Sequence, residues 1–194
     1  TIPSPDAIAI RVLPNPDHLS ARRWYQANNF EGSPQTIVVD GYRGVRDGRT
    51  VYVNAANIDG SNVLHTNIYV ISYNQSAEQT TIDIFARIIK HWRFNTNRSE
   101  PAVCEQENNK PCFTDQECAA GDRCSSVKAL VTRDVRRLED MNEIGAWLSE
   151  YRSANGHYPL LSSGAYLKGT TLSVWPSWQN LFAQHLKHQL PIDP

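Results

Sequence analysis

A long amphipathic helix is the strongest constraint that the sequence places on the fold. Apolar side chains recur at helical spacing from Val127 to Asn155, and at 1.5 Å per residue this segment predicts a helix of roughly 40 Å. The predicted apolar stripe consists of Val127, Leu130, Val131, Val135, Leu138, Met141, Ile144, Leu148 and Tyr151. A stripe of this length needs a covering surface. After the helix we expect a loop, a Trp-containing turn and a short helix from Pro176 to His188, so the cover must come from the first part of the chain, from further chain or from a neighbouring subunit.

The region before the long helix carries the signals of a small α+β fold. Branched and aromatic residues predict strands, and apolar residues at helical spacing predict helices. The dipeptides Asp40-Gly41 and Asp47-Gly48 favour tight turns. The predicted strands are Ala7–Leu13, Thr36–Val39, Thr50–Val53 and Asn67–Tyr73, and the predicted helices are His18–Asn28, capped near Asp17, and Ala77–Trp92. This order predicts a small antiparallel sheet with packed helices.

All four cysteines of the chain fall in one polar loop. Cys104, Cys112, Cys118 and Cys124 are separated by seven, five and five residues. A zinc site usually uses tight Cys-x-x-Cys pairs, which this loop lacks, so we predict two disulfides. Of the three pairings that four cysteines allow, we favour Cys104 with Cys118 and Cys112 with Cys124, because interleaved bonds best compact a loop with few apolar residues. Disulfides persist in oxidising surroundings, which predicts an extracellular or cell-surface protein.

Charge and hydropathy narrow the classes of partner. The formal net charge of −1 gives no basic excess of the kind that binds nucleic acid. No apolar run reaches the roughly 18 to 20 residues that a membrane-spanning helix needs. Because the chain starts at Thr1 and stops at Pro194, we expect it to be a processed or excerpted piece of a larger polypeptide.

Two motifs in the last third of the chain carry a resemblance. The long helix ends in Asn155-Gly156-His157-Tyr158-Pro159, and the chain ends in Leu190-Pro191-Ile192-Asp193-Pro194. This part resembles type IV pilins and pseudopilins, in which a long helix packs on a small sheet and subunits assemble outside the cell. The pattern along the chain predicts three parts, an α+β domain at 1–97, a disulfide loop at 98–126, and the long helix with its C-terminal segment at 127–194, and the resemblance makes the third part pilin-like.

A second resemblance covers most of the chain. The segments Val39–Tyr42, Val45–Ala55 and Ile68–Asn74 are similar to parts of large predicted surface proteins of uncultured, small-genome bacteria. In those proteins this region precedes a cysteine loop and a pilin-like helix. The similarity implies a surface or filament protein and no particular activity.

Three further groups of residues could bind ligands, each with a plainer alternative. Oxygen-bearing residues around Gly60 have spacings like those of a calcium loop, although an ordinary turn would also explain them. Aromatic residues near Trp175-Pro176-Ser177-Trp178 could bind a glycan or pin the C-terminal segment to the long helix. His185 and His188 could share a metal or lie on an exposed helical face. The calcium set is Asn54, Asn57, Asp59 and Ser61, and the aromatic set is Tyr166, Trp175 and Trp178.

These observations predict an exported structural subunit of an extracellular filament or cell-surface assembly. Its partners would be copies of itself, and other surface proteins or glycans. The alternative is an adhesin-like module that recognises glycan or another cell surface. No combination of acid, base and nucleophile is visible in the sequence, so we do not predict an enzyme. We predict no cofactor other than the calcium that the residues around Gly60 could bind.

Overall fold

The first half of the chain forms a five-stranded antiparallel sheet. The computed structural model describes residues 6–61, 63–94, 101–161 and 167–194, and the chain divides into two compact units, Thr1–Leu138 and Glu139–Pro194. The strands lie in the order β1-β5-β4-β3-β2. Their bounds are β1 Ile8–Pro14, β2 Gln35–Val39, β3 Tyr42–Asp47, β4 Thr50–Ile58 and β5 Leu64–Tyr73. The predicted α+β class is therefore confirmed, whereas the division into three domains stays a prediction.

Tight turns set the register of the β2–β3–β4 meander. Asp40 and Gly41 have φ values of 50° and 85° between the paired residues Val39 and Tyr42. Positive φ at both central residues is the geometry of a two-residue hairpin turn, which Asp-Gly adopts readily. The sequence prediction placed both turns correctly but missed β3, and it ended β4 five residues early. β3 was missed because it is short and contains Gly44, which disfavours strands, and Asp47, while pairing with β2 and β4 on both sides of Gly44 to Arg46 holds it in place.

Two short helices pack on opposite faces of the sheet. Helix α1 (Ala21–Ala27) buries Tyr25 against Val45, Tyr52 and Ile68. Helix α2 (Gln79–His91) buries Phe85 on the other face. Along β4, Val51 and Val53 belong to the core under α2, because alternate residues of a strand point to opposite faces.

The ends of these helices have specific caps. The Ser20 hydroxyl accepts a hydrogen bond from the Arg23 amide, so α1 begins at Ala21, three residues after the predicted start at His18. At α2, one oxygen of Asp6 accepts hydrogen bonds from the Glu78 amide and the Thr81 hydroxyl. The Thr81 hydrogen bond chiefly lowers the pKa of Asp6. The carboxylate thus fixes the start of α2 to the residues just before β1.

Helix α3 (Val127–Asn155) was predicted with the correct bounds but only partly the correct face. In the first unit it buries Ala129, Val131 and Val135, and the two valines join the core of the sheet. Three residues of the predicted stripe are exposed, namely Val127 (38%), Leu130 (50%) and Met141 (69%). The prediction was wrong for these three because the buried face is rotated towards Ala129 and Thr132, which the apolar pattern did not count.

The second unit covers its own part of α3 with helical turns. Ile144, Trp147, Leu148 and Tyr151 pack against Leu161, Phe182, Leu186 and Leu190. Residues 176–186 are helical, with a π-helical turn at Trp178–Phe182 followed by α4 (Ala183–Leu186). The chain's own C-terminal segment therefore supplies cover that we expected from elsewhere.

Asn155 and Gly156 end α3 by local chemistry. Gly156 has φ 78°, and its amide donates to the carbonyl of Arg152. The Asn155 side chain donates to the carbonyl of Tyr151. Glycine adopts this left-handed conformation without a Cβ penalty. Among the described residues, no helix combines the length and the hydrophobicity that crossing a bilayer requires.

Candidate functional site

The cysteine segment carries two interleaved disulfides. Cys104 is bonded to Cys118 and Cys112 to Cys124, with Cα atoms 5.7 and 5.8 Å apart. A small ladder of β6 (Val103–Cys104) and β7 (Cys124–Ser125) places Cys104 opposite Cys124. Ala129 of α3 packs against this cluster. The predicted disulfides and their pairing are confirmed, and the bonds attach the segment to the start of α3.

Carboxylate side chains accept hydrogen bonds from the backbone amides of the disulfide segment. Asp122 accepts from the Gln106 amide, Glu107 from the Ala119 amide, and Glu117 from the Phe113 amide. Asp115 accepts from the Cys124 amide at 2.8 Å and from Arg133 of α3 at 2.7 Å.

Oxygen atoms of Glu107 and Asp122 lie within 4.8 Å of the sulfurs of Cys104 and Cys118. These sulfurs are bonded and the carboxylates already accept amide hydrogens, so the cluster is structural.

Asp40 joins three parts of the first unit at the β2–β3 turn. Its side chain is 1% exposed, and it pairs with Lys128 of α3 and, at 3.6 Å, with Arg93. The same carboxylate accepts the Phe94 amide at 2.8 Å. A buried carboxylate needs such partners, because burying an unpaired charge is costly. The sequence showed Asp40 only as a turn residue, since its partners lie 54 and 88 residues further along the chain.

Gly41 allows the disulfide segment to approach the same turn. A Cβ at Gly41 would overlap the ring of Phe113, and its φ of 85° disfavours other residues. The turn at Asp40 and Gly41 is therefore the point where the sheet, α3 and the disulfide segment meet. We regard it as the structural centre of the first unit.

The structure does not bring the calcium set together. Asn54 lies inside β4, is 0% exposed, and accepts a hydrogen bond from Asn15. Asn57 is three positions further along β4, so its side chain points to the opposite face. Asp59 accepts the amides of Ser61 and Val63, which is an ordinary turn. The plainer alternative, an ordinary turn, accounts for Asp59 and Ser61, while Asn54 and Asn57 belong to β4, which continues through residues that were read as a loop.

A cleft of about 460 Å³ lies beside this turn. Its lining includes His18, Asn57, His65 and Thr66. His18 contacts the Thr66 hydroxyl at 3.1 Å, and His65 contacts Asp59 at 3.0 Å. The hydrogen bond from His65 chiefly lowers the pKa of Asp59. The histidines were scattered in the sequence, and only strand pairing places two of them beside one cleft.

Of the C-terminal aromatic set, Trp178 serves packing. Trp178 is part of the core of the second unit, and its indole N–H donates to the carbonyl of Pro191 at 2.8 Å. Trp175 is half-buried, and Tyr166 lies outside the described residues. His188 stacks on Trp147 with ring centroids 4.4 Å apart, and the ring of His185 meets that of Tyr151 edge-on. For Trp178 the packing alternative holds, and the histidines contact rings of α3.

An aromatic cluster that the sequence did not reveal covers the α1 face of the sheet. Trp24, Tyr25, Phe30 and Tyr52 have ring centroids 5.2 to 6.0 Å apart. Asp47 accepts the Tyr25 hydroxyl at 2.6 Å and raises the pKa of Tyr25 to about 12. Phe30 remains 45% exposed and Trp24 is half-buried, so the cluster presents an aromatic surface.

The β1 edge of the sheet exposes apolar residues. β1 pairs with β5 on one side, and on the other side no strand among the described residues pairs with it. Ile10 is 53% and Val12 49% exposed. An edge with unpaired backbone groups and apolar side chains is a template for another chain.

The opposite edge is better protected. β2 has five residues, and one of them, Val38, is 65% exposed. Arg22 of α1 donates to the hydroxyl of Thr36 and to the carbonyl of Pro34 beside this edge. A charged side chain placed along an edge discourages pairing with a second chain. β1 also carries a charge, Arg11, but it has seven residues against five and exposes both Ile10 and Val12, so it offers the longer apolar edge.

Comparisons of the chain with protein-family models, with curated proteins and with solved structures return no match. The resemblances to pilins and to bacterial surface proteins accordingly stay hypotheses from the sequence motifs.

Proposed function

We propose that this protein is an exported structural subunit that assembles with copies of itself at the cell surface or outside the cell. The observation that carries this proposal is the open β1 edge, with its exposed Ile10 and Val12, in a unit that also contains two disulfides. Such an edge suits assembly, because one sheet can continue into the next. The motifs at Asn155–Pro159 and Leu190–Pro194, through their likeness to pilins, support the same function.

The cysteines support the proposed location. Both bonds close loops inside a polar segment, and three of the four cysteines are fully buried, in contact with Ala129. The bonds are thus part of the folded core of that segment, and such bonds are maintained in oxidising compartments. We therefore place the assembly outside the cytoplasm.

The direct test is the size of the oxidised protein in solution. Sedimentation velocity from low to high micromolar concentration, with negative-stain microscopy of the most concentrated sample, should show concentration-dependent oligomers or fibres. The same protein after full reduction is the control, because loss of the disulfides should weaken the assembly by loosening the domain. A monodisperse monomer at every concentration would contradict the proposal.

An adhesin-like module is the second candidate, and the aromatic surface of Trp24 and Phe30 favours it. Flat exposed aromatic rings are suited to stacking on the apolar faces of sugars. Binding to a glycan array should then be lost on Phe30→Ala and retained on Tyr158→Ala, which removes an aromatic side chain of similar exposure from the second unit. Glycan binding by a strictly monomeric protein would favour this candidate over the structural subunit.

A further inference from the structure

The hydrogen bonds of β1 show which of its backbone groups are free. The Asn15 amide donates to the carbonyl of Thr66, and the Asn74 amide donates to the carbonyl of Ala7. Along an antiparallel pair, alternate residues face the partner strand. Odd-numbered residues of β1 therefore face β5, and the amide and carbonyl groups of Ile8, Ile10 and Val12 point outward.

These outward groups are self-complementary. In an antiparallel pair of two β1 strands centred on Ile10, Ile8 lies opposite Val12 of the second copy, and Ile10 lies opposite its own counterpart. Every outward amide then meets an outward carbonyl. Ile8, Ile10 and Val12 also share one face of the strand, so apolar side chains meet across the new contact.

The neighbouring register is disfavoured by charge and by proline. A pair centred on Arg11 would set two arginines directly opposite each other, and like charges in that position destabilise a sheet. It would also set Ile8 opposite Pro14, which has no amide hydrogen to donate. In the register centred on Ile10, Arg11 faces Ala9 of the second copy. Of these two registers, the sequence of β1 favours the one centred on Ile10.

We propose that β1 pairs with β1 of a second copy, centred on Ile10, so that two five-stranded sheets become one continuous antiparallel sheet. This contact rests on the self-association proposed above and names its interface. It is isologous, since the same surface serves both copies. The β2 edge is unsuited to the same pairing, because it offers fewer outward residues and Arg22 lies beside Thr36.

Cysteine cross-linking tests both the contact and its register. Hydrogen-bonded residues that face each other across an antiparallel pair have Cα atoms about 5.5 Å apart, within the range of a disulfide. Under mild oxidation Ile10→Cys should therefore form a covalent dimer. Arg11→Cys should cross-link at least about tenfold more slowly, because two copies of this position would lie about 8 Å apart on a diagonal. Val38→Cys, an exposed residue of the β2 edge, is the matched control.

The outcomes distinguish failure of the β1 contact from failure of the proposed structural function. Selective cross-linking of Ile10→Cys, with native disulfides verified by peptide mapping, supports the β1 contact. Faster cross-linking of Arg11→Cys or Val38→Cys overturns the register or the choice of edge. Oligomers of the unaltered protein together with equally slow cross-linking of all three variants would overturn the β1 contact and leave the structural function standing. If the unaltered protein is monomeric at every concentration, both the β1 contact and the proposed structural function are overturned.

Discussion

Asp40 shows how one side chain can hold several elements together. It sits in a two-residue turn, where Asp-Gly is expected, yet its carboxylate is buried and contacts Lys128, Arg93 and the Phe94 amide. Lys128 is itself 12% exposed. Removing the carboxylate would therefore leave a largely buried ammonium group without its partner, which is among the most destabilising changes in a protein.

Replacing Asp40 tests this role. Asp40→Ala should lower the free energy of unfolding by about 3 to 5 kcal/mol, measured by urea denaturation. Asp40→Asn should cost less, because asparagine tolerates the positive φ and keeps an acceptor for the Phe94 amide. Equal stability of the alanine variant and the unaltered protein would show that the buried ion pair does not hold the turn.

The carboxylate of Asp6 predicts a specific pH dependence. Because the Thr81 hydroxyl lowers its pKa below the ordinary value of 3.8, the ionised form stabilises the fold. This contribution is fully present above the unfolded-state pKa, and it disappears as the pH falls through the lower folded-state pKa. Unfolding measured from pH 7 to pH 2 should show Asp6→Asn less stable at neutral pH and indistinguishable at the acid end.

Thr81→Val is the matched variant for this measurement, since it removes the hydroxyl and keeps the shape. It should lose most of the same pH-dependent stability. If the valine variant kept the full pH dependence, the Thr81 hydroxyl would not be its cause.

At the scale of elements, the sequence predicted features that depend on neighbouring residues better than features that depend on long-range contacts. Turn dipeptides and hydrophobic periodicity located α2, α3 and four of the five strands to within a few residues, because these signals depend on neighbours along the chain. β3 was missed because its stability comes from strands on both sides, which supply pairing that Gly44 does not favour by itself.

The lack of a local sequence signal for long-range contacts also explains the errors at the candidate sites. The calcium set was drawn as a loop, but β4 continues through Asn54, whose side-chain oxygen accepts a hydrogen bond from the Asn15 side chain, 39 residues away. The disulfides were predicted correctly, since their spacing and polar surroundings are properties of one short segment. The aromatic surface of Trp24 and Phe30 and the contacts of Asp40 are assembled from distant segments and carried no local signal.

Substitutions in α3 test which face is buried. Val135→Ala should lower the free energy of unfolding by roughly 2 kcal/mol, because Val135 is 2% exposed and the change leaves a cavity. Met141→Ala should change it by less than about 0.5 kcal/mol, because Met141 is 69% exposed. A larger loss of stability for Met141→Ala than for Val135→Ala would indicate that the face predicted from the sequence is the buried one.

The two disulfides should contribute comparable stability. Their sequence separations are 14 and 12 residues, and loops of this size correspond to about 3 kcal/mol each in the chain-entropy account. Two double variants test this. Replacing both Cys104 and Cys118 by alanine, or both Cys112 and Cys124, should lower the free energy of unfolding by about 3 kcal/mol in each case. Alkylation of the denatured, unreduced protein should add no mass, and alkylation after reduction should label four thiols. Any label without reduction would contradict complete pairing.

At the scale of the whole molecule, the balance between monomer and assembly depends on an edge that the chain leaves exposed. Natural sheets often protect an edge strand with a lysine that disfavours pairing. In the favoured register the pairing is centred on the exposed Ile10, and Arg11, the middle residue of β1, lies opposite Ala9 of the second copy and not opposite another arginine. The sequence of β1 therefore lacks this protection at the position where pairing would be centred.

A single lysine at this position should separate folding from assembly. Ile10→Lys sets two positive charges opposite each other at the centre of the proposed contact, so the dissociation constant should rise by about tenfold or more. The melting temperature of the monomer should stay nearly unchanged, because Ile10 is already 53% exposed. Val63→Lys is the matched control, since Val63 is 49% exposed and lies outside both edge strands. Sedimentation velocity should show weaker association for the first variant alone. Equal association of both variants with the unaltered protein would mean that the copies meet through a surface other than β1.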